Sequence, residues 1–249
     1  MILIKEDKSI IKLSIIIPTL NESKRLPLLL SDLSEINNKS EILIIDSTSK
    51  DKTRDIAFIN GTRFYKVNKK NRGLQLNYGA QKAQGEWLLF IHADSRLKLN
   101  WSRKIEDILK RDSNFIYYFN FKVNNKSFTY RFLEFFVNLR CFLFKTPYGD
   151  QGLLISKKNF KTYGGFKTIP LMEDFDFISR INKKNLRSLK TPIFTSSRKW
   201  DEINFVWQSL KNWHLRRLML KGVSINRIYK NYYKIHLFPF SATREDRNF

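Results

Sequence analysis

The chain has 249 residues, of which 42% are hydrophobic and 14% aromatic, so a disordered protein is excluded and a folded core is expected. Its single cysteine, Cys141, excludes an internal disulfide framework and a cysteine-based zinc cluster. A net charge of +23 favours anionic partners such as nucleic acid, acidic lipid or phosphorylated substrates, although a compositional drift towards lysine would give the same excess.

The first 95 residues predict strands and helices in alternation. Short apolar runs indicate buried strands, and apolar residues at helical spacing indicate helices between them, the first with Ser23 as its cap. The predicted strands span 13–17, 41–45, 63–67 and 87–91, and the predicted helices 23–36, 51–59 and 73–84. Short links in such an alternation predict a parallel sheet with right-handed crossovers.

The rest of the chain predicts a mixed region followed by a basic helical end. The predicted elements are a helix at 101–111, a strand at 115–123, an aromatic amphipathic helix at 128–144, a strand at 151–156, a helix at 173–182, one or two strands within 186–194, a helix at 201–221 and a basic aromatic tail. The apolar stretch 128–144 is interrupted by Arg131, Glu134 and Arg140, and residues 1–12 lack a cleavable apolar run. We therefore expect a cytoplasmic protein without signal peptide or transmembrane helix, free or at the inner face of the cell membrane.

Polar residues follow the predicted strands where a parallel sheet binds ligands. Thr19, Asn21 and Glu22 follow the first strand, Asp46 follows the second and Asp94 the fourth. The sequence has neither G-x-G-x-x-G nor G-x-x-x-x-G-K-[ST], which disfavours dinucleotide oxidoreductases and P-loop enzymes. The absence of G-x-S-x-G disfavours a serine hydrolase.

The carboxylates at these strand ends have a chemical and a purely structural interpretation. Asp94 has the chemistry to hold Mg²⁺ or Mn²⁺ together with phosphate oxygens, and Asp46 to accept hydrogen bonds from a base or ribose. Both are equally explained as turn or cap residues. Glu173 and Asp174 begin a predicted helix, where a carboxylate also stabilises the helix dipole.

The entry to the helix at 73–84 suits a phosphate. Arg72, Gln75 and Asn77 lie there, so an anion would meet both charge and backbone N–H groups.

Three motifs together resemble family 2 glycosyltransferases with the GT-A fold. They are Ser-Ile-Ile-Ile-Pro-Thr-Leu-Asn-Glu at 14–22, Asp46 followed by Ser-Lys-Asp-Lys-Thr at 49–53, and Leu-Leu-Phe-Ile-His-Ala-Asp at 88–94. Segments 72–80, 147–152, 169–174 and 195–200 are similar to the bacterial subgroup linked to arsenosugar biosynthesis. The similarity covers about residues 13–200.

The resemblance implies an α/β fold of the GT-A (Rossmann-like) type: a mixed, mainly parallel sheet flanked by helices, with a basic helical C-terminal extension. It implies a catalytic domain at 1–200, with a donor half at about 13–95 and an acceptor half at about 96–200. Residues 201–249 are then a helical extension that packs on the same domain.

The resemblance also implies a function: an inverting glycosyltransferase that moves a sugar from a nucleotide-diphospho-sugar, UDP-linked, to a hydroxyl acceptor in arsenosugar or glycolipid biosynthesis. Its cofactor would be a divalent cation, Mg²⁺ or Mn²⁺, on Asp94. Asp174 would be the catalytic base, with Glu173 beside it as support. The implied donor-site residues are Pro18, Thr19, Asn21, Glu22, Asp46, Arg72, Gln75, Asn77, His92, Asp94, Asp150, Gln151, Arg198, Lys199 and Trp200.

Two positions depart from the family pattern. His92 replaces the first carboxylate of the D-x-D motif, which removes one negative charge near the metal. The Q-x-x-R-W motif has become Ser196-Ser-Arg-Lys199-Trp200, with Arg198 as the substitute cation.

Other interpretations remain open. The apolar face of 128–144 suits a membrane interface, and hence a lipid or carotenoid glycosyltransferase, but also a helix that covers the acceptor side or a dimer contact. The basic, Tyr- and Trp-rich C-terminal end suits a nucleic-acid-binding module without catalysis. A nucleotidyltransferase would be expected to use two metal-binding carboxylates, which His92 disfavours.

Overall fold

The computed structural model describes residues 11–36, 39–110, 114–125, 127–196 and 205–234. They form one eight-stranded sheet with helices on both faces. The strands are β1 (Leu13–Thr19), β2 (Ser40–Asp46), β3 (Arg63–Lys66), β4 (Trp87–Phe90), β5 (Arg96–Leu97), β6 (Ile116–Val123), β7 (Leu153–Ser156) and β8 (Leu186–Thr195). The helices are α1 (Leu26–Leu33), α2 (Thr53–Ile59), α3 (Arg72–Lys82), α4 (Trp101–Leu109), α5 (Phe128–Phe144), α6 (Lys157–Thr162), α7 (Glu173–Arg180), α8 (Phe205–Leu220) and α9 (Ile225–Lys234).

The sheet is mixed and mainly parallel, as predicted. Its strand order is β3-β2-β1-β4-β7-β6-β8-β5. Strands β1 to β4 pair in parallel, β7 is antiparallel to β4 and β6, β6 and β8 are parallel, and β5 is antiparallel to β8. The carboxyl ends of β1 to β4, β6 and β8 therefore lie at one edge of the sheet.

Alternating residues of the central strands supply two cores, one on each face of the sheet. Ile15 and Ile17 of β1 pack into the cluster that contains the apolar sides of α1 and α4, whereas Ile16 packs with α3 and α7. Because both faces are covered, these strands are continuous apolar runs, which is why the sequence reveals them.

The sequence misses or misplaces several smaller elements. β5 and α6 were not predicted, and residues 225–234, expected only as part of a helical C-terminal extension, form the separate helix α9. Ser23 does not cap α1, which begins after Arg25 without a side-chain cap; the Ser23 N–H instead donates to Asp51. The segment predicted as one or two strands is the single strand β8, whose pairing with β6 is irregular between Ser188 and Pro192.

The last two described helices pack against α7. Leu215 of α8 and Ile228 of α9 are fully buried in a cluster with Met172 and Phe175. Among the described residues, no helix combines the length and apolar character needed to cross a membrane. The domain boundaries at 95 and 200 stay predictions.

Candidate active site

The carboxyl ends of β1 and β2 form a network of hydrogen bonds around Asp46. Both carboxylate oxygens accept: Oδ1 from the Thr19 hydroxyl at 3.0 Å and from the Ser49 hydroxyl, and Oδ2 from the Ser49 N–H at 2.8 Å. Asp46 and Thr19 are buried. Asp46 thus holds the loop after β2 against the end of β1.

A second carboxylate fixes the loop that follows β1. Asp51 accepts hydrogen bonds from the N–H groups of Ser23, at 2.9 Å, and Thr53, at 3.0 Å, and from the Thr53 hydroxyl. Burial raises the pKa of Asp51, but these hydrogen bonds outweigh it and hold the pKa below its ordinary value. The Thr53 hydroxyl also accepts from the Glu22 N–H at 2.9 Å.

Asn21 completes this loop. It adopts a left-handed backbone conformation with φ of 56°, its side-chain oxygen accepts from the Lys50 N–H at 2.9 Å, and its own N–H donates to the Ser49 hydroxyl at 2.7 Å. The predicted nucleotide-lining residues Pro18, Thr19, Asn21 and Glu22 therefore lie on one rigid rim next to Asp46.

Of the three polar residues predicted at the entry to α3, Arg72 reaches the carboxylates. The Gln75 amide donates to the backbone carbonyls of Thr19 and Ile45, at 3.0 and 2.6 Å. Asn77 pairs through both polar atoms with the backbone of Phe166. These two amides connect α3 to neighbouring backbone.

Asn71, which the sequence analysis did not single out, positions the first turn of α3. Its side-chain oxygen accepts from the Leu74 N–H at 2.9 Å, so it is the N-cap, and its amide nitrogen donates to the Ile169 carbonyl at 3.0 Å. A cap residue just before a helical run is the signal that reveals it. Asn71 thereby connects the start of α3 to the loop that leads into α7.

The carboxylates Glu173 and Asp174 begin α7 beside Arg72. Met172 precedes them in a left-handed conformation with φ of 63°, which turns the chain sharply into the helix. The Arg72 guanidinium forms an ion pair with Glu173, lies 3.7 Å from Asp174 Oδ2, and lies 3.4 Å from His92 Nε2. α3, the turn after β4 and α7 thus converge on one point.

Backbone N–H groups fix the Asp174 carboxylate. Oδ2 accepts from the Gly149 N–H at 2.8 Å and Oδ1 from the Phe175 N–H at 2.7 Å. A β-carbon at Gly149 would lie 3.0 Å from His92 Nε2 and 3.1 Å from Asp174 Oδ2, so a glycine suits this close approach. A cavity of about 30 Å³ adjoins these groups, lined also by Arg72 and Tyr148.

The charges at this point shift one another's protonation. Burial raises the pKa of Asp174, but the charge of Arg72 and the two N–H donors outweigh it and lower the pKa below its ordinary value. Burial lowers the pKa of Arg72, but the charges of Glu173 and Asp174 outweigh burial, so the pKa of Arg72 is raised above its ordinary value. Asp174 is therefore ionised, and able to accept a proton, throughout the neutral range.

The loop between α5 and β7 is supported from below by Gln151. This fully buried side chain donates to the Phe119 carbonyl at 3.2 Å and accepts from the Cys141 thiol at 3.1 Å and the Tyr148 N–H at 3.3 Å. Gln151 therefore shapes the loop. Its neighbour Asp150 belongs to a short 3₁₀ helix over Gly149–Gln151, and its charge contributes to the raised pKa of Arg72.

The metal-ligating groups are too few for a preformed metal cage. Among the described residues, no three His, Cys, Asp or Glu side chains are grouped to hold an ion. His92 and Asp94 close the turn after β4, both half-buried. One carboxylate at such a place fits Mg²⁺ or Mn²⁺, which take one or two protein oxygens and complete their shell with phosphate and water.

Three predicted site residues, Arg198, Lys199 and Trp200, lie outside the described residues. Two arginines that were not predicted as site residues lie near the carboxylates instead: Arg140 of α5 and Arg216 of α8, both stacked on Tyr148. Local sequence gives no signal for either, because the packing of α8 on α7 brings Arg216 there.

Comparison with known proteins gives a consistent result. Residues 14–174 match the family model "Glycosyl transferase family 2". A 113-residue stretch is 34% identical to the 4,4'-diaponeurosporenoate glycosyltransferase of Staphylococcus haemolyticus, covering 43% of this chain and 30% of that protein.

Solved structures share the fold. TarS 1-349 of S. aureus in complex with UDP superposes with a TM-score of 0.59 at 18% identity, over 74% of this chain and 60% of that one. The mannosyltransferase PcManGT of Pyrobaculum calidifontis, in complex with GDP-Man and Mn²⁺, gives 0.56 at 17% identity, over 83% and 60%. The chain thus spans less than two thirds of each of these proteins.

Proposed function

The chain belongs to glycosyltransferase family 2, and from this premise we propose that it transfers a sugar from a UDP-linked donor to a hydroxyl acceptor with inversion at the anomeric carbon. The observation that carries the proposal is the meeting of Arg72, His92 and Asp174 at the carboxyl edge of the sheet, beside the rim around Asp46. The UDP complex of TarS supports uridine as the nucleoside of the donor. The GDP-Man complex of PcManGT supports guanosine as the alternative.

In the proposed complex the nucleotide lies on the rim formed by the loops after β1 and β2. Pro18, Thr19, Asn21 and Glu22 line it, and Asp46 holds those loops in register through the bonds from Thr19 and Ser49. Because hydrogen bonds between protein groups hold the rim, a nucleotide would bind a surface that is already ordered, which favours affinity.

Asp94, with His92 nearby, would hold the divalent cation, which supplies electrostatic stabilisation of the leaving diphosphate. Arg72 is placed to add a second positive charge next to it, since its guanidinium contacts His92 Nε2. The scarcity of protein ligands predicts that the cation binds together with the diphosphate rather than before it.

Asp174 is the proposed base. As the acceptor oxygen bonds to the anomeric carbon and the bond to the diphosphate oxygen breaks, the acceptor hydroxyl gives its proton to the Asp174 carboxylate. The N–H groups of Gly149 and Phe175 fix that carboxylate, and Glu173 holds Arg72 beside it. Its lowered pKa keeps the carboxylate unprotonated at neutral pH, so its contribution rests on position.

The test is calorimetric titration of UDP with and without Mn²⁺ into the wild type, Asp94→Ala and the control Asp107→Ala, whose side chain on α4 is 63% exposed. We expect Mn²⁺-dependent UDP binding in the wild type and the control, and its loss in Asp94→Ala. Binding of UDP that ignores both Mn²⁺ and Asp94 would contradict the assignment of the metal site.

The face of α5 favours an acceptor held at a membrane, and thus glycolipid over arsenosugar synthesis. Large apolar side chains project from this helix into solvent while its other side packs on β6 through Tyr130 and Leu133. Exposed fractions range from 49% to 73% for Phe128, Phe132, Phe135, Phe136, Phe142, Leu143 and Phe144. A patch of this kind marks an interaction surface.

Positive charge next to this face supports an anionic lipid surface as its occupant, even though Lys122 and Arg131 share an ion pair with Glu134. Lys122 and Arg131 line a groove of about 700 Å³ at the start of α5, together with Lys98, and Lys145 follows the last turn. Basic residues beside exposed aromatics are typical of helices that lie in the interface of an anionic bilayer. The carotenoid substrate named for the S. haemolyticus relative supports an apolar acceptor.

Vesicle flotation tests this surface, with phosphatidylcholine vesicles that contain or lack phosphatidylglycerol. We expect binding to the anionic vesicles, lost in Phe135→Ser/Phe142→Ser and kept in Phe58→Ser. Phe58 is a matched control because it is 55% exposed, against 61% for Phe135, but lies on α2. Self-association of the wild type that disappears in the double variant would instead identify the face as a dimer contact and refute the lipid surface.

A further inference from the structure

Two arginines from distant parts of the chain meet at one aromatic ring. The guanidinium carbon of Arg140 lies 3.9 Å from the centre of the Tyr148 ring, and that of Arg216 lies 3.7 Å from it. Arg140 belongs to α5 and Arg216 to α8, so the fold itself brings these two like charges together. Stacking on the ring partly stabilises each cation but does not neutralise it.

Neither guanidinium forms a direct ion pair with a carboxylate in the described part of the chain, although Asp150 and Asp174 lie close enough to raise the pKa of Arg216. No described carboxylate oxygen lies within 4.0 Å of either guanidinium. Arg140 Nη2 contacts Gln151 Oε1 at 3.4 Å and Cys141 Sγ at 3.6 Å, and its buried Nε has no hydrogen-bond partner among the described residues. Two partly buried cations on one aromatic ring, one of them with an unused donor, are typical of an anion-binding site.

The electrostatics of Arg216 agree with that geometry. Burial lowers its pKa, and the neighbouring charge of Arg140 lowers it further, against the opposing influence of Tyr148, Asp174 and Asp150. An anion that contacts both guanidinium groups beside the Tyr148 ring would offset both unfavourable effects.

The arginine pair lies beside the proposed base. Tyr148 is followed by Gly149, whose N–H donates to Asp174 Oδ2, and the charge of Arg216 helps to hold the pKa of Asp174 down. The proposed metal and diphosphate site lies around Asp94 and Arg72, whereas this pair is contributed by α5 and α8.

We propose that Arg140 and Arg216 bind a phosphate group of the acceptor, next to the hydroxyl that Asp174 deprotonates. This inference rests on the proposed function and narrows it to phosphate-bearing acceptors. A soluble phosphate ester and a lipid phosphate present the same group, and the test separates them.

The first arm is a calorimetric titration of inorganic phosphate in the presence of saturating UDP and Mn²⁺, which occupy the donor side. We expect Arg216→Gln and Arg140→Gln to weaken phosphate binding by about tenfold or more, since each removes a charge-assisted contact. Arg216→Lys should retain part of the affinity. Arg217→Gln is the matched control, because Arg217 is the next residue on α8 but stacks on Trp213, at 4.7 Å.

The second arm repeats the comparison with phosphatidylcholine vesicles that contain or lack phosphatidic acid. Loss of phosphatidic acid binding in Arg216→Gln, with inorganic phosphate too weak to titrate, assigns a lipid phosphate; loss of inorganic phosphate binding alone assigns a soluble one. A thermal unfolding temperature within a few degrees of the wild type shows that a variant is folded. If Arg140→Gln does not fold, Arg216→Gln alone tests the proposal.

Two results would overturn the inference. One is phosphate and phosphatidic acid binding that neither variant changes. The other is an equal loss of UDP binding, which would assign the pair to the donor diphosphate. Failure of UDP to bind the wild type would instead refute the proposed function, and titration of phosphate without UDP would still report on the arginines.

Discussion

The rim after β1 and β2 and the surface made by α5, Tyr148 and α8 treat their polar groups in opposite ways. On the rim, the carboxylates of Asp46 and Asp51 accept hydrogen bonds from the neighbouring loops. On the other surface, Arg140 and Arg216 face each other across Tyr148, and phenylalanines of α5 are exposed to solvent. The polar groups of the first region bond to one another, whereas the second region has exposed apolar side chains and cations without direct ion pairs in the described part of the chain, as an interaction surface does.

This difference shows where a substrate would supply binding energy. A nucleotide would meet a preorganised rim, while an acceptor or membrane would remove unfavourable charge and exposed apolar area. Asp174 contacts Arg72 on one side and the N–H of Gly149, next to Tyr148, on the other. As the proposed base, it should affect sugar transfer without affecting the binding of UDP.

Asp174→Asn should have the largest effect. Transfer should fall by about 10²- to 10⁴-fold, because the proton acceptor is lost, while UDP affinity stays within about threefold. Steady-state sugar transfer and UDP calorimetry measure the two quantities, with Asp107→Asn as the surface control. Turnover equal to that of the wild type would eliminate Asp174 as the base.

Arg72→Gln should have a smaller effect that depends on pH. Without the guanidinium, burial raises the pKa of Asp174, so the acid limb of the rate profile moves to higher pH. We expect a loss of about tenfold at neutral pH, from the missing charge beside the diphosphate, that grows as the pH falls through the higher pKa of Asp174. A pH profile between about 5 and 9 measures this, and a uniform loss at every pH would show that Arg72 acts on the diphosphate alone.

Asp51→Ala should weaken the rim itself. Three hydrogen bonds to the carboxylate are lost, so the free energy of unfolding should fall by about 1–3 kcal/mol at pH 7. Since the folded state lowers the pKa of Asp51, its contribution is present above the ordinary value and is lost as the pH falls through the lowered one. Urea unfolding at neutral pH and below about pH 3 should therefore show a difference that shrinks in acid; an undiminished difference would contradict the role of ionised Asp51.

Gly149→Ala should have the smallest effect. The new methyl group would press on the ends of the His92 and Asp174 side chains, which can move by a few tenths of an ångström. We expect a loss of transfer of a few fold with unchanged thermal stability. Transfer assays beside thermal unfolding decide, and a large loss of stability would show that the loop cannot adjust.

The sequence predicts the rim far better than the surface made by α5, Tyr148 and α8. β1, β2 and β4 each contain a continuous apolar run, and the polar residues that follow these strands must share one edge of a parallel sheet. β5 has only two residues, whose position depends on the distant ion pair between Arg96 and Asp32, so local pattern cannot reveal it.

The candidate site shows the same limit. Arg72 and Asp174 come from separate motifs of the sequence and lie 3.7 Å apart between guanidinium and carboxylate, while their roles stay predictions. The placement of Arg216 depends on Leu215 and Ile228 packing against Met172 and Phe175, a tertiary contact without a local signature. Roles for Gln75 and Asn77 at the donor stay predictions, because both amides bond to protein backbone.

A crystal structure with UDP and Mn²⁺ bound tests the central claim most directly. We expect the nucleotide on the rim formed by the loops after β1 and β2, with Mn²⁺ between Asp94 and the diphosphate. Asp174 should not coordinate the metal. A nucleotide bound away from that rim, or Mn²⁺ coordinated by Asp174, would contradict it.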